Sequence, residues 1–335
     1  MKSDLEKTQH FSTRACELLD GIVIDNNDNL VCVDPFCGAG DLVKFFPQFK
    51  WETYDKDPKY PNTTKRDTLI NPPDYTGKVV ITNPPYIAKN KTKDFGDIFD
   101  KYHTDDLYKA SIRSIIGCEK GILIIPVNFF IDEDTRPIRE DFLSQYIIRR
   151  VNVFTKQMFD NTTYSVCAFN FYKGQRLEQE VLFHVDTGDE KIINLNHEYG
   201  YKPGGKDFYK IKAVKNYMFS RLLESGNNTF TTNIRLYGLD TRTTKAHLEI
   251  CDEPYFGKHT DRVNATITSK FKLTPNEEKR LVERFNQGVE KLRKDNLDLF
   301  FSNYRDFGRK RISFDFVYKY LQVLYLDLSD LKNTK

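Results

Sequence analysis

The stretch "VCVDPFCGAGDL", residues 31–42, decides how the first half of the chain folds. A short apolar run ends at Asp34, a turn with Gly38 and Gly40 follows, and a helical pattern begins at once. Glycine at both positions lets the backbone approach a ligand closely and adopt φ values that other residues disfavour. A strand, a glycine turn and a helix in succession are typical of an α/β nucleotide-binding unit, although a plain strand–helix turn can look the same.

Strand-like and helix-like segments alternate around this turn up to residue 172. Such alternation implies a mostly parallel sheet that helices cover on both faces. We therefore expect an α/β fold, a doubly wound Rossmann-like sheet whose ligands sit at the carboxyl ends of the strands. The further strand candidates are 50–55, 63–69, 78–84, 120–130, 149–154 and 164–173, and the helix candidates are 41–46, 104–119 and 136–147.

The later part of the chain has a different character. Residues 173–270 hold short strand-like pieces between polar turns, and a helix then begins at "LTPNEEKRL". Thr274 and Glu277 form a capping-box pattern there, with Pro275 at the first helical position. The sequence predicts two domains, 1–175 and 176–335, of which the second is a mixed α+β domain.

Composition limits the class of protein. The 335 residues are 39% hydrophobic and 30% charged, with a mean hydropathy of −0.59. There is no run of 18 apolar residues and no signal-peptide pattern at the start, so we expect a cytoplasmic protein without a membrane partner. The six cysteines and six histidines are scattered, which favours reduced thiols and no metal site. Nothing here specifies an oligomeric state.

The net charge of +3 hides an asymmetry. Residues 173–335 hold 29 Lys and Arg against 23 Asp and Glu, and the window 200–275 holds 13 against 7. An ordinary solvated surface and a domain that meets a polyanion both fit these numbers.

Two acidic residues, Asp55 and Asp57, extend the glycine turn into a candidate ligand site. Asp55 ends the next strand candidate, about 20 residues after the turn, where a carboxylate suits bidentate hydrogen bonding to ribose hydroxyls. The turn lacks the third glycine usual for a pyrophosphate. This combination favours an adenosine ligand without phosphates.

The second chemical pattern is "TNPPY", residues 82–86, at the end of an apolar strand. The Asn83 amide oxygen and the Pro84 carbonyl offer two acceptors that can converge on one amino group and make its nitrogen more nucleophilic. Tyr86 offers a face for stacking a base, worth roughly 1–3 kcal/mol. A second copy in "INPPDY" (70–75) follows no apolar strand, and we interpret it as a loop.

In this order the motifs resemble the gamma-type N6-adenine DNA methyltransferases, which use S-adenosylmethionine. The resemblance covers residues 7–172 and includes "KTQHFST" (7–13), "DPFCGAG" (34–40), "RDTL" (66–69), "TNPPY", "DLYKASI" (106–112) and "KQMFDNTTYSVCAFNFY" (156–172). One departure is Arg14, where the family often has proline. The resemblance implies a catalytic group of Asn83, Pro84, Pro85 and Tyr86, base stacking by Tyr86 and Phe159, and cofactor binding by Phe11, Thr13, Asp34, Phe36, Gly38, Gly40, Asp55, Asp67 and Asn83.

The resemblance implies transfer of the cofactor's methyl group to an adenine flipped out of double-stranded DNA, in a restriction-modification or solitary modification enzyme. An RNA adenine or guanine amino-methyltransferase is the alternative. A protein glutamine methyltransferase and an inactive nucleic-acid-binding relative rank lower. The position of the extra domain, after the catalytic one, favours DNA, so residues 176–335 are expected to be its target-recognition domain.

Basic residues in two regions are candidates for DNA contacts. One group lies in the polar segment 87–104, which follows the catalytic turn and which we predict to be a loop. The other lies in polar turns of the later domain. The candidates are Lys89, Lys91, Lys93, Lys202, Lys206, Lys258, His259 and Arg262.

Overall fold

The computed structural model describes residues 15–25, 28–159, 162–225, 229–238, 245–261, 264–300, 304–305, 309–310 and 312–333. The chain divides into two compact units at Pro203/Gly204. The predicted boundary after residue 175 is therefore wrong in position. The two strands that follow residue 175 belong to the sheet of the first unit, because they continue its hydrogen-bonded ladder.

The first unit is built on a sheet of nine strands. Their order across the sheet is β3-β2-β1-β4-β5-β7-β6-β8-β9. Strands β3, β2, β1, β4 and β5 run parallel, while β7 pairs antiparallel with both β5 and β6. The strands are β1 Cys32–Asp34, β2 Trp51–Asp55, β3 Thr64–Lys65, β4 Val79–Thr82, β5 Lys120–Pro126, β6 Tyr146–Phe154, β7 Val166–Lys173, β8 Glu178–Val185 and β9 Glu190–Asn196.

Strand order reverses at β1, which lies between β2 and β4. From β1 the chain first adds β2 and β3 on one side and then returns to add β4 on the other. The crevice outside the carboxyl ends of strands at such a reversal is the usual ligand position in open α/β sheets. The predicted α/β, doubly wound sheet is thereby confirmed.

Six helices flank this sheet in the described part of the unit. A core rich in phenylalanine joins helices and sheet, with the rings of Phe129 and Phe169 stacked at 5.9 Å and Phe142 packed edge-on against Phe171 at 5.1 Å. All seven residues of β5 are buried, as expected for a strand covered on both faces. The helices are α1 Ala15–Leu18, α2 Asp41–Phe45, α3 Gly96–Tyr102, α4 Leu107–Ser114, α5 Asn128–Ile131 and α6 Arg136–Leu143.

Residues 87–104, which follow the Asn-Pro-Pro-Tyr turn, depart from their prediction as a loop. They contain a 3₁₀ turn at Lys89–Lys91 and helix α3. Phe95, Ile98 and Phe99 are buried in a cluster with Leu107. The polar and charged residues between them hid this apolar face, whose members are spaced at i, i+3 and i+4.

The second unit is a separate α+β body, as predicted for its class. A four-stranded antiparallel sheet in the order β10-β13-β11-β12 packs with helices around its own core. The capping box of Thr274 and Glu277 is present, and its helix buries Leu281 and Phe285. The elements are α7 Gly205–Lys212, β10 Phe219–Arg221, β11 Phe230–Tyr237, β12 His247–Ile250, β13 Asn264–Ser269, α8 Pro275–Asp295, the short pair β14 Tyr304–Arg305 and β15 Arg309–Lys310, and α9 Phe314–Asn333.

Candidate active site

The carboxyl ends of β1, β2 and β4 bring three polar side chains to one edge of the sheet. Asp34 is the last residue of β1, Asp55 the last of β2 and Thr82 the last of β4. Because these strands are neighbours and parallel, their ends meet. The turns that leave them form the candidate site.

Asp34 is buried and links the glycine turn to the end of β4. Its Oδ1 accepts a hydrogen bond from the Thr82 hydroxyl at 2.8 Å and another from the backbone N–H of Phe36 at 3.1 Å. Burial raises the pKa of this carboxyl to about 7, although the two hydrogen bonds act in the opposite direction. Asp34 therefore fixes the backbone at the start of the glycine turn relative to the end of β4.

Asp55 closes the other side of the turn. Its Oδ2 accepts from the backbone N–H of Gly38 at 2.8 Å, and its Oδ1 from that of Asp57 at 2.8 Å. Burial raises the pKa of Asp55, and the two backbone hydrogen bonds lower it. A carboxylate has about four acceptor positions, so each oxygen keeps capacity for a hydroxyl of a ligand.

Glycine is needed at the two positions of the turn for different structural reasons. Gly40 has φ +76°, and a Cβ there would lie 2.1 Å from the Tyr60 ring. Gly38 has φ +53°, and a Cβ would meet nothing within 4 Å. Gly38 faces open space in a cavity wall, which is the arrangement a backbone cradle for a ligand requires.

Asp67 lies in the turn after β3 and contacts both the backbone and a lysine. Its Oδ1 accepts from the N–H groups of Leu69 at 3.2 Å and Ile70 at 3.3 Å. Its Oδ2 is 3.4 Å from the ammonium of Lys56, which also sits 5.3 Å from the centre of the Phe95 ring. Sequence reasoning missed Lys56, although it directly follows Asp55.

These residues line one cavity. Its wall contains the predicted cofactor residues Asp34, Phe36, Gly38, Asp55, Asp67 and Asn83, and Pro85 of the catalytic turn. Gly40 supports the turn behind Gly38. Other wall residues that the sequence did not single out are Asp41, Lys56, Arg66, Phe95 and Ile98.

The Asn-Pro-Pro-Tyr turn follows β4 directly. The Pro84 carbonyl accepts no hydrogen bond within the described part of the chain, as expected for a carbonyl outside the ladder. The Tyr86 hydroxyl lies 2.5 Å from Asn83 Oδ1 and 2.7 Å from the carbonyl oxygen of Ile124. Tyr86 is buried, and burial raises its pKa well above the usual value.

Phe159, which the resemblance implies as a second base-stacking residue, lies beside Tyr86, but the two rings are not parallel. Their centroids are 6.4 Å apart and their planes are inclined by 59°. A base stacked between parallel rings needs about 7 Å between them, twice a carbon–carbon contact. Phe159 would have to shift before both rings could contact one base.

The start of α4 is hydrogen-bonded to the segment that follows the Asn-Pro-Pro-Tyr turn. The N–H of Leu107 donates to the carbonyl of Ile87 at 3.1 Å, and that of Lys89 to the carbonyl of Asp105 at 2.7 Å. Asp106 caps α4 by accepting from the Tyr108 N–H at 3.3 Å. Burial raises the pKa of Asp106 to about 7.

Most predicted DNA-contact residues are exposed. Lys89 pairs with Asp100 at 3.2 Å, and Lys91 lies 3.4 Å from the Tyr164 hydroxyl. Lys93 is exposed beside them. In the second unit, Lys206, Lys258 and His259 are also exposed.

Lys202 is a wrong prediction. It is only 1% exposed, and its ammonium donates to the carbonyl of Ile131 within the first unit. A polar neighbourhood in the sequence did not reveal that the side chain turns inward. Phe11, Thr13 and Arg262 lie outside the described residues.

Neither a metal centre nor a membrane span is found among the described residues. No group of three or more His, Cys, Asp or Glu side chains there could hold a metal ion. Likewise, none of the helices described above has the length and apolar character needed to cross a bilayer.

The segment that carries the Asn-Pro-Pro-Tyr turn is similar to a known protein family. Residues 61–159 match the model of the Eco57I restriction-modification methylase family. The matched segment includes Asp67, the whole Asn-Pro-Pro-Tyr turn and Phe159, and it confirms the resemblance to DNA-modification methyltransferases. A comparison with curated protein sequences gives no significant match.

Several solved structures are similar to part of the chain. A modification subunit of a putative type I restriction enzyme from Vibrio vulnificus YJ016 has 14% identity and a TM-score of 0.43, covering 65% of this chain and 58% of that one. A type I restriction-modification structure has 14% identity, a TM-score of 0.42 and coverages of 63% and 52%. A putative class I S-adenosylmethionine-dependent methyltransferase from Listeria monocytogenes has 14% identity and a TM-score of 0.40, and the match covers 51% of this chain and 62% of that one. This chain thus spans little more than half of the first two structures.

Proposed function

We propose that the chain is a site-specific DNA adenine-N6 methyltransferase, of a restriction-modification system or acting alone. The observation that carries the proposal is the cavity in which Asn83 and Pro85 stand in one wall with Asp34, Gly38, Asp55 and Asp67. A turn with two acceptors for an amino group, beside carboxylates that can bind a nucleoside, fits the methylation of an amine. The match of residues 61–159 supports the same class of reaction.

The cofactor is S-adenosylmethionine, which supplies an electrophilic methyl group on a sulfonium. The donor set fits it: Asp55 has acceptor capacity for ribose hydroxyls and Asp67 for an adenine amino group. Gly38 leaves open space for close backbone approach. The cavity wall is rich in carboxylates, which suits a ligand that carries positive charge.

At the catalytic turn, the Asn83 side chain and the Pro84 carbonyl accept the two hydrogens of the adenine amino group. Both acceptors draw the nitrogen away from conjugation with the ring and orient its lone pair for attack. The proton leaves to solvent after the nitrogen has become cationic. None of the cysteines is needed as a nucleophile, and burial raises the pKa of Cys37 and Cys167.

A base inside a duplex cannot reach this turn, so the target adenine is flipped out at a cost of a few kcal/mol. Stacking on Tyr86 and Phe159 offsets this cost once Phe159 has moved. The second unit is the target-recognition domain. From Gly204 onward the chain holds 25 Lys and Arg against 17 Asp and Glu, a surplus suited to a polyanion.

The two Asn-Pro-Pro copies provide a matched test. Asn83→Ala should abolish transfer of labelled methyl to duplex DNA, while Asn83→Asp keeps an acceptor and some activity. Asn71→Ala is the control, because Asn71 lies in an exposed loop where its side chain contacts Arg66. Full activity of Asn83→Ala would refute the catalytic assignment.

A comparison of substrates distinguishes the proposed DNA methyltransferase from an RNA amino-methyltransferase. Labelled-methyl incorporation is compared for duplex DNA, transfer RNA and ribosomal RNA under one set of conditions. Incorporation into DNA supports the proposal, and labelling of RNA alone would assign the chain to the RNA amino-methyltransferases.

A further inference from the structure

Among the described residues, the Tyr86 hydroxyl lies within hydrogen-bond distance of two acceptor oxygens, but it has only one hydrogen to donate. It lies 2.5 Å from Asn83 Oδ1 and 2.7 Å from the carbonyl oxygen of Ile124. A phenol donates one hydrogen bond and accepts others. If it donates to the Ile124 carbonyl, an oxygen of Asn83 facing it would place lone pairs against lone pairs at 2.5 Å.

One exchange within Asn83 resolves this conflict. The two branches of an amide have the same shape, and hydrogen bonding decides which atom faces where. With Nδ2 towards Tyr86, Asn83 donates to the phenol oxygen and the phenol donates to Ile124. The phenol hydrogen and the Asn83 hydrogen that faces the phenol then each have an acceptor.

Burial in the sheet holds the Ile124 end of this set of hydrogen bonds in place. Ile124 is a fully buried residue of β5, and its carbonyl is part of the rigid sheet. Tyr86 is 6% exposed and its ring packs edge-on against Tyr108 at 6.4 Å. The raised pKa of Tyr86 keeps its proton in place at neutral pH.

We propose that the Tyr86 hydroxyl is a positioning group that orients the Asn83 amide, so that Nδ2 faces the phenol and Oδ1 faces the substrate amine. This inference rests on the proposed methyl transfer at Asn83. It gives Tyr86 a role beyond stacking. An amide in the opposite orientation would present N–H to N–H and repel the substrate.

The test is a double-mutant cycle of Tyr86→Phe and Asn83→Asp. Phenylalanine keeps the ring and removes only the hydroxyl. A carboxylate has an acceptor on both branches, so its orientation does not matter. Tyr86→Phe should lower kcat about fivefold with Asn83 present, consistent with one hydrogen bond, and less than about twofold with Asp at position 83.

Single-turnover methyl transfer to duplex DNA, the Kd for S-adenosylmethionine and the melting temperature are measured for all four proteins. Kd should change little between Tyr and Phe, and the melting temperature should fall by a few degrees at most, as expected for the loss of one buried hydrogen bond. Tyr108→Phe, which removes the hydroxyl from the neighbouring ring, is the control and should keep kcat within about twofold.

The outcomes distinguish failure of the positioning role of Tyr86 from failure of the proposed methyltransferase function. An equal fall of kcat in both backgrounds, or no fall with Asn83 present, overturns the positioning role while methylation by the unaltered protein still stands. Absence of transfer to DNA by the unaltered protein overturns the proposed function itself.

Discussion

At the scale of single residues, Asp34 has the clearest energetic signature. Its carboxyl is 1% exposed and has a pKa of about 7, against about 3.9 for an unfolded aspartate. The folded state therefore binds this proton more tightly than the unfolded state does. The contribution to stability is full below about pH 4 and is lost as the pH rises through about 7.

Asp34→Asn should flatten this dependence. The amide keeps an acceptor for Thr82 and Phe36 but carries no proton to lose. Relative to the unaltered protein, the free energy of unfolding of Asp34→Asn should rise between pH 5 and pH 8, by up to ~3 kcal/mol. Urea melts at both pH values measure this change. The exposed Asp97→Asn is the control, and an unchanged pH slope in Asp34→Asn would contradict the expectation.

The two glycines of the turn should fail in different ways when replaced by alanine. Gly40→Ala combines positive φ with a clash against the Tyr60 ring, so it should lower stability by roughly 2–4 kcal/mol. Gly38→Ala meets open space, so it should lose only about 1 kcal/mol for its left-handed backbone. Its methyl group would enter the cavity and weaken cofactor binding.

Thermal unfolding and calorimetric titration with S-adenosylmethionine separate these effects. A large loss of stability in Gly38→Ala with unchanged cofactor affinity would show that the turn does not cradle a ligand.

At the scale of elements, close packing between neighbouring strands depends on Gly121 in β5. A Cβ there would lie 2.0 Å from the carbonyl oxygen of Val80 in β4 and 2.6 Å from the Phe171 ring in β7. Backbone on one side and a buried ring on the other leave no room to adjust. This close approach holds β4, which leads into the Asn-Pro-Pro-Tyr turn.

Gly121→Ala should therefore destabilise the first unit by about 3 kcal/mol or more, as overpacking does in well-packed cores. Gly96→Ala is the matched control, since a Cβ there meets nothing within 4 Å and helix α3 favours alanine. Melting temperatures of the two variants give the comparison. Equal melting temperatures would contradict the close approach of the strands at Gly121.

Element boundaries show where local patterns suffice. Helix α8 begins as its capping box predicts, because the cap is made of neighbouring residues. Strand β3 keeps only Thr64–Lys65 of the predicted 63–69, because pairing with β2 ends there. Helix α3 was missed because the polar and charged residues between its apolar positions hid the face that packs against α4.

At the scale of the whole molecule, charge is divided between the units. The second unit carries the basic surplus, and Lys206 and Lys210 lie exposed one turn apart on α7. We expect replacement of both by glutamine to weaken DNA binding and to reduce the salt dependence of binding. The log–log slope should fall by up to about 0.9 for each phosphate that a lysine no longer neutralises.

Lys50 and Lys65 provide the control, since both are exposed in the first unit and their replacement changes net charge equally. Fluorescence anisotropy with duplex DNA at several salt concentrations measures both double variants. Identical slopes for the two would show that net charge matters and the position of the lysines does not.

The sequence by itself determined the glycine turn, the acids that follow it and the Asn-Pro-Pro-Tyr turn, because each is a short pattern at the end of a strand. Only the tertiary structure decided which distant groups meet. It joined Thr82 to Asp34, Tyr86 to Ile124 and Lys56 to Asp67. It also buried Lys202 and placed β8 and β9 in the first sheet, because strand pairing and side-chain direction depend on segments far apart in the chain.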